Sequence, residues 1–591
     1  MTDAGLRRLA RAAGLEVDWT DAGGRLRRVS VEVQRAVLTA LALPCHNTTA
    51  IMESLAHLKQ ENIKPVPIKS GKAFLPKANS LWGISVQLYS LRGGTTEGFG
   101  DFAALGDFVR QAAALGADVV AISPVHALFG AAPAHFSPYA PSTRLFLNPL
   151  YAPLDHSARE SKDKLVDWPA ASAAKWAALR KSFQAFLLLR DQASFRAFVR
   201  KGGRHLVDHA RFEVLDARFR KQGLNHWRAW PPPYRNSSST AVRALSPDDD
   251  EVAFQLYAQW RADQGLAQAQ QHARDVGMAV GLVTDMAVGM DPAGSHAWSA
   301  PDEVLAGLTI GAPPDLFNTK GQNWGLTNFS PLALRRTGFD GFINTLKSAM
   351  RHAGGIRLDH AMGLERLWVI PEGASAGDGV YLRYPRAEMM ALLARESRRH
   401  RALVVAEDLG TVPKGFRGQI ARAGLLGMRV LWFERDSGGG FTPPGKWDRL
   451  GAALSTTHDL PTLAGWWSER DIAWRAKLGV SSGTVDHERR ERAKDRARLW
   501  KMLRAAKVAG GSVPSAKTPR RFVDAVFRGL AATPCRLKLL PIEDFLGKRE
   551  QPNIPGTIDE HPNWRRRLDS DRPLDGRPAR RRAAFLEKKR S

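Results

Sequence analysis

The segment GGIRLDHAMGLERLW, residues 354–368, begins as an apolar run typical of a buried β-strand and then becomes polar. Arg357, Asp359 and His360 stand close together where the run ends. In parallel sheets and barrels, polar side chains at the carboxyl ends of the strands meet at one functional site. The segment therefore predicts a strand whose last residues belong to such a site, provided that similar segments recur along the chain.

Seven further apolar runs also end on small or polar residues, with helix-like segments between them. They are WGISVQLYS (82–90), ADVVAISPVH (117–126), MAVGLVTDMAVG (278–289), ALVVAEDLG (402–410), LGMRVLWFE (426–434), AALSTTHDLP (452–461) and LKLLPIED (537–544). Near-continuous hydrophobic strands joined by crossovers indicate a parallel sheet covered on both faces. Eight of them predict an α/β fold, a closed (β/α)8 TIM barrel. An open doubly wound sheet is the alternative, but no G-x-G-x-x-G turn follows the first run.

The hydrophobic pattern divides the chain into four regions. Apolar residues at helical spacing predict a small helical N-terminal region over 1–58, and an aperiodic polar stretch predicts a linker over 59–80. The catalytic barrel is expected over 81–568. Three intervals between strands are too long for single helices, so inserted helical subdomains are predicted at about 126–277, 290–353 and 466–534. Residues 569–591 are expected to form a basic C-terminal tail.

Composition limits the classes of protein that fit. The chain has 86 Lys and Arg against 59 Asp and Glu, a formal net charge of +27, but the excess is spread without a nucleic-acid-binding motif. We expect a solvated basic surface with no specific nucleic acid, although a non-enzymatic nucleic-acid-binding protein stays open. Charges throughout the first residues and the lack of a long apolar run predict a cytoplasmic protein without a membrane partner. Cys45 and Cys535 lie too far apart to suggest a zinc ribbon or a disulfide framework.

Acidic residues stand at the ends of several of these runs: Asp285, Asp359, Glu407, Asp408, Asp459, Glu543 and Asp544. Any one of them could simply cap a helix, but several converging on one barrel mouth favour catalysis. Paired carboxylates suit glycosidic bond chemistry, in which one attacks the anomeric carbon and the other, protonated, serves the leaving oxygen. Arg357 lies two positions before Asp359 on the same face of the strand and should keep Asp359 ionised. Glu407 follows the apolar run ALVVA (402–406), so loss of solvation should raise its pKa. Neither a metal nor a cofactor is expected.

Three segments in chain order, RLDH (357–360), AEDLGTVP (406–413) and THDLPT (457–462), resemble the active-site segments of the 4-α-glucanotransferases called amylomaltases. The similarity extends over about residues 81–568 and includes SPYAPSTRLFLNPLY (137–151), GAPPDLFNTKGQNWG (311–325) and NIPGTIDEHPNWRRR (553–567). The resemblance implies that Asp359 is the nucleophile, Glu407 the general acid and base, and Asp459 the carboxylate that stabilises the transition state. It also implies a substrate-binding set: Ser137, Tyr139, Asp285, Asp315, Gln322, Asn323, Trp324, Arg357, His360 and His458.

The resulting prediction is a retaining 4-α-glucanotransferase that moves α-1,4-glucan segments between malto-oligosaccharides. A hydrolase of the same clan would share the three carboxylates and stays open as the alternative. Trp324 is expected to be exposed on a mobile Gly/Pro-rich loop, where it could help an acceptor sugar displace water, whereas Trp368 is expected in the core. Ala140 stands where the family pattern suggests a serine, which removes one polar contact. The oligomeric state is left open.

Overall fold

Short apolar runs form the strands of the computed structural model, which describes residues 3–21, 23–60, 71–155, 161–315, 320–481 and 483–588. In chain order the strands of these ranges are β1 Asp18–Thr20, β2 Leu26–Arg28, β3 Leu81–Val86, β4 Val119–Ile122, β5 His126–Ala127, β6 Thr143–Leu147, β7 Gly281–Met286, β8 Leu308–Ala312, β9 Gln322–Leu326, β10 Gly355–Leu358, β11 Arg366–Pro371, β12 Val380–Arg383, β13 Leu403–Ala406, β14 Leu426–Val430, β15 Gly451–Leu454 and β16 Leu537–Pro541.

The α-helices lie mostly between these strands, where crossovers are required. They are α1 Asp3–Ala12, α2 Val31–Ala40, α3 Thr48–Gln60, α4 Phe102–Ala114, α5 Trp168–Leu187, α6 Ala193–Arg220, α7 Thr240–Arg243, α8 Asp250–Asp275, α9 Ser295–Ser299, α10 Pro331–Arg336, α11 Asp340–Met350, α12 Arg386–His400, α13 Phe416–Arg422, α14 Leu463–Trp467, α15 Arg470–Leu478, α16 Val485–Ala505, α17 Arg520–Ala531, α18 Ile542–Leu546 and α19 Arg577–Glu587. None of these helices is both long and apolar enough to cross a membrane.

The predicted parallel barrel is confirmed, and each of the eight apolar runs supplies one strand. The closed order is β3, β4, β7, β10, β13, β14, β15 and β16, and β16 pairs in parallel with β3 to complete the ring. These strands are almost wholly buried because side chains fill the barrel inside and helices cover it outside. The carboxyl ends of all eight strands therefore meet at one mouth.

A second, antiparallel sheet lies beside this mouth, with the strand order β12, β11, β8 and β9. The N-terminal region packs against its β12 and β11 edge. Glu16 pairs with Arg366 and Arg383, and the Trp19 ring lies edge-on to Trp368 at 5.0 Å between centroids. This region was predicted to be helical, and the structure adds the short β1–β2 hairpin to its three helices.

The predicted linker at 59–80 falls partly on residues 61–70, which lie outside the described residues. From residue 71 the chain lies against the helices α12 and α13. The backbone N–H of Ala73 donates to the carbonyl of Ala423, and that of Phe74 donates to Ser397 Oγ. Cys45 and Cys535 are both buried free thiols.

The basic C-terminal segment differs from the predicted solvated tail, because it contains the packed helix α19. Ala583 and Leu586 of this helix belong to the main hydrophobic core. Arg582, only 2% exposed, donates to the Asp524 carboxylate at 3.1 Å and to the Phe545 carbonyl at 2.6 Å. A cation can be buried here because its donors are satisfied by a carboxylate and by backbone carbonyls. Several positive charges of this segment thus stabilise the fold.

We predict that Arg582→Ala lowers the free energy of unfolding by about 3 kcal/mol, because the substitution removes the buried donor of the Asp544 and Phe545 carbonyls and one of the two cations of Asp524. Arg577→Ala, at an exposed position on the same helix, should change it by less than about 0.5 kcal/mol. Chemical denaturation of both variants measures the difference. Equal effects would show that α19 is not held by the buried guanidinium.

Candidate active site

Arg357 connects two carboxylates at the mouth of the barrel. The in-register pairing of β10 with β7 places Arg357 opposite Asp285, and Arg357 Nη1 donates to both oxygens of Asp285 at 2.8 and 2.7 Å. Arg357 Nη2 lies 3.0 Å from Asp359 Oδ1. Burial alone would lower the pKa of Arg357, but the two carboxylates outweigh it and raise that pKa well above its ordinary value. Asp359 therefore lies beside a permanent positive charge.

Glu407 follows β13 and is held by two backbone amides. The N–H of His360 donates to Oε2 at 2.8 Å, and the N–H of Leu409 donates to Oε1 at 2.7 Å. His360 adopts a left-handed conformation with φ of 44°, which is costly for a non-glycine residue and is found preferentially at functional sites. Burial, reinforced by the charge of Asp359, raises the pKa of Glu407 to about 7. The carboxyl is thus fixed in direction and readily protonated.

Asp459 lies beyond β15 in the turn that also carries His458. His458 Nε2 lies 3.3 Å from Asp459 Oδ2, and Asn553 Nδ2 donates to Asp459 Oδ1 at 2.6 Å. Burial acts to raise the pKa of Asp459, but the charge of His458 and these hydrogen bonds outweigh it and lower the pKa. The same pairing raises the pKa of His458 above its ordinary value, although burial opposes it. Asp459 is consequently held as an ionised carboxylate.

An aromatic group lies across the mouth between these carboxylates. The Tyr139 hydroxyl donates to Asp285 Oδ2 at 2.7 Å, and its ring stacks on His458 with 4.8 Å between centroids. The ring of Trp564 lies 5.5 Å from that of Tyr139. A turn closed by the Ala140 N–H and the Ser137 carbonyl presents Tyr139 to the site. Flat aromatic faces beside carboxylates suit the apolar and hydroxyl-bearing sides of a sugar ring.

The prediction that Trp324 is exposed on a loop is wrong. Trp324 lies on β9, which pairs with β8, and its half-buried ring meets His360 edge-on at 5.2 Å between centroids. Its Nε1 donates to Gln322 Oε1 at 3.2 Å, and Asn323 is exposed with its Oδ1 accepting the Gly325 N–H. Residues 316–319 of the predicted loop lie outside the described residues. Strand pairing places Trp324 beside the residue that follows Asp359.

Other sequence-predicted residues lie in different surroundings. Asp315 is half-buried after β8, close enough to contribute to the raised pKa of Tyr381, which burial mainly causes. Trp368 is in the core, 1% exposed. Asp408, next to Glu407, points away from the mouth and accepts hydrogen bonds from the Met428 N–H and from Arg429. Its role is structural.

Asn553 and Trp564 are site residues that sequence reasoning did not single out. The segment containing them was noted only as a family-like stretch. A hydrogen-bonded loop brings both to the mouth: the Asn553 N–H donates to the His458 carbonyl, and the Trp564 N–H donates to the Pro552 carbonyl. Trp564 also adopts a positive φ of 53°, an uncommon conformation that the sequence pattern does not signal.

Within the described ranges, no group of three or more His, Cys, Asp or Glu side chains could hold a metal ion. The site instead combines a carboxyl group beside a guanidinium with a second carboxyl whose pKa burial raises. A nucleophile and a proton donor placed this way suit displacement at an anomeric carbon.

A family model described as 4-alpha-glucanotransferase matches residues 86–572. The chain belongs to the 4-α-glucanotransferase family. It is 36% identical to the 4-α-glucanotransferase of Mycobacterium tuberculosis over 531 residues, covering 84% of this chain and 72% of that protein. It is 31% identical to the enzyme of Haemophilus influenzae over 529 residues, covering 83% and 75%. The resemblance identified from the three active-site segments is therefore confirmed.

Two solved structures show the same fold. Amylomaltase from Corynebacterium glutamicum matches with a TM-score of 0.85 at 25% identity, covering 99% of this chain and 100% of that one. Amylomaltase from Streptococcus agalactiae, solved in complex with acarbose, matches with a TM-score of 0.69 at 19% identity, covering 86% and 98%. The closed barrel and its additional elements are thus those of a transglycosylase family.

The raised pKa of Glu407 predicts how the stability of the fold depends on pH. Its ordinary value is 4.5 and its folded value about 7, so the folded state binds more protons and stability falls as pH rises through this interval. Glu407→Gln removes the titrating group. We expect the melting temperature of the variant, relative to wild type, to be higher at pH 8 than at pH 5. Glu53→Gln, at an exposed helix position, is the control, and an equal difference at both pH values would contradict the burial of a titrating Glu407.

Proposed function

We propose that this 4-α-glucanotransferase acts on malto-oligosaccharides by a retaining double displacement. Asp359 attacks the anomeric carbon as Glu407 gives its proton to the departing glycosidic oxygen, leaving a glycosyl–Asp359 ester and a shortened glucan. Glu407, now ionised, removes the proton from a 4-hydroxyl of an acceptor glucan, whose oxygen displaces Asp359 from the same carbon. The bond broken and the bond formed are of the same kind, so no cofactor is required.

The observation that carries this proposal is the contrast between two adjacent carboxyls. Asp359 contacts the Arg357 guanidinium at 3.0 Å, which favours the charged form that a nucleophile requires. Glu407 is buried, and its pKa of about 7 allows it to hold a proton near neutral pH and to release it during the reaction. The raised pKa of Glu407 suits the proton donor, and the guanidinium beside Asp359 suits the nucleophile.

The remaining groups support sugar binding. Asp459, ionised and fixed by Asn553, can accept hydrogen bonds from two hydroxyls and can stabilise positive charge on the ring in the transition state. His458 and Tyr139 lie in contact with each other beside it and offer a flat surface to the sugar. Ser137 and Asp285 act through Tyr139, by shaping its turn and by binding its hydroxyl.

Membership of a transferase family favours transfer over the hydrolase alternative, and it also favours an enzyme over a nucleic-acid-binding protein. Transfer requires that an acceptor compete with water for the covalent intermediate. In this proposal Trp324, whose ring meets that of His360 edge-on, covers the acceptor side of Asp359 with an apolar surface. The cytoplasmic location expected from the sequence stays a prediction.

Two glycosyl donors, maltotriose and α-maltosyl fluoride, distinguish the proposed role of Asp359 from that of Glu407. We expect Asp359→Asn, Glu407→Gln and Asp459→Asn each to lower transfer from maltotriose by a factor of about 10³ or more. With α-maltosyl fluoride, whose leaving group needs no proton, Glu407→Gln should recover most of the rate of glycosyl–enzyme formation, whereas Asp359→Asn should not. Release of fluoride measures this step. Recovery in the Asp359 variant would transfer the role of nucleophile to another residue.

A second prediction concerns water exclusion. Trp324→Ala should raise the ratio of hydrolysis to transfer with maltotriose by about tenfold, since it uncovers the intermediate more than it impairs donor cleavage. Trp324→Phe, which keeps an apolar ring but loses the N–H that Gln322 accepts, is the matched control and should stay near the wild-type ratio. Total reducing ends, which transfer conserves and hydrolysis increases, give the ratio. An unchanged ratio in the alanine variant would exclude Trp324 from this role.

A further inference from the structure

Two polar residues beneath the mouth have no role in the mechanism described above. Gln87 follows β3 and Glu543 follows β16, two neighbouring strands whose register pairs Ser85 with Pro541. Each lies two residues beyond this pair, and Glu543 belongs to the first turn of α18. Both line one cavity whose other walls include Tyr139, Asp285, Arg357 and His458. We call Gln87 and Glu543 the cavity floor.

The floor has hydrogen-bonding capacity that the described protein groups do not use. Gln87 is 9% exposed, and its buried Oε1 accepts no hydrogen bond from any residue that the structure describes. Glu543 is half-buried, and its carboxyl accepts a hydrogen bond from its own backbone N–H but none from the described side chains. Buried polar groups in native proteins are nearly always paired, so an unpaired acceptor facing a cavity indicates that a bound molecule completes it.

The neighbouring acid shows how a purely structural carboxylate differs. Asp544 is fully buried, and its oxygens accept hydrogen bonds from Ser455 Oγ at 2.6 Å and from the Leu463 N–H at 2.7 Å. It thereby joins the ends of β15 and β16. Glu543 makes no such connection and faces the cavity instead. Burial raises the pKa of Glu543 to about 7, so near neutral pH it can donate a hydrogen bond as well as accept one.

We propose that Gln87 and Glu543 bind a hydroxyl group of the glucosyl unit that is transferred to Asp359, a role that rests on the proposed function. A sugar hydroxyl is both a donor and an acceptor. It can donate to Gln87 Oε1 and accept from protonated Glu543, which satisfies both floor residues with one group. The floor then discriminates glucose from sugars that lack this hydroxyl, because such sugars would leave buried polar groups unpaired.

The test compares Glu543→Leu, Glu543→Gln and Gln87→Leu with wild type, using α-glucosyl fluoride as donor and maltose as acceptor. We expect the two leucine variants to lower kcat/KM by about 10- to 100-fold and Glu543→Gln, which keeps a hydrogen-bonding group, by less than about fivefold. Melting temperatures verify folding, and Glu53→Leu at an exposed position is the control for an added apolar side chain. A loss below threefold in both leucine variants would overturn the proposal.

A direct contact is distinguished from a structural effect by the 2-, 3-, 4- and 6-deoxy α-glucosyl fluorides. If the floor binds one hydroxyl, the difference between wild type and Glu543→Leu shrinks to less than about threefold for the donor that lacks this hydroxyl and persists for the others. The same loss on all four donors would mean that the floor holds only water or packs the barrel, and would refute the contact. Failure of wild type to transfer from α-glucosyl fluoride itself would instead reject the proposed function.

Discussion

The site depends on one cation shared by two carboxylates. Arg357 lies in a barrel strand directly opposite Asp285, and its guanidinium also reaches Asp359, so three ionisable groups share a largely buried space. Burial raises the pKa of Asp285, and the charge of Arg357 opposes that rise, so removing the cation would cost the site a large desolvation penalty. Strand register fixes this arrangement. A slip of one residue would turn Arg357 away from the mouth and leave Asp285 unpaired.

The two carboxyls that we propose as nucleophile and proton donor differ in their contacts with that cation. Asp359 contacts the guanidinium, whereas Glu407 receives backbone N–H groups and the repulsion of Asp359. A hydrogen bond from an amide favours the ionised form of Glu407, yet burial outweighs it and the pKa stays high. The left-handed backbone of His360 therefore orients the Glu407 carboxyl more than it changes its pKa. It points an N–H at Glu407 and, in the proposed mechanism, fixes the carboxyl within reach of a leaving oxygen.

The parts predictable from sequence are those encoded locally. Each barrel strand is a short apolar run, and the acids at its end share its register, so the barrel and the meeting of Asp359 and Glu407 at its mouth could be predicted without coordinates. Trp324 was misplaced because the Gly/Pro-rich composition around it indicated a loop, whereas pairing with a strand that precedes it decided the outcome. Asn553 reaches Asp459 across a separation of 94 residues, and no local pattern carries such a contact. The helix α19 was not predicted because its many arginines indicated a basic tail, although its few apolar residues pack into the core.

Buried arginines also account for part of the net charge of +27, which the sequence analysis assigned to a solvated basic surface. Several arginines are structural cations of the interior. Arg144 is 3% exposed and donates to the carbonyls of Ala287 and Val288, just beyond the strand that carries Asp285. Arg429 binds Asp408, the neighbour of Glu407, in the same way. A guanidinium suits these positions because its planar donors satisfy several carbonyl or carboxylate oxygens at once. Arginine content thus reflects how the strand ends are held, and a neutral glucan needs no opposite charge from the enzyme to be recognised.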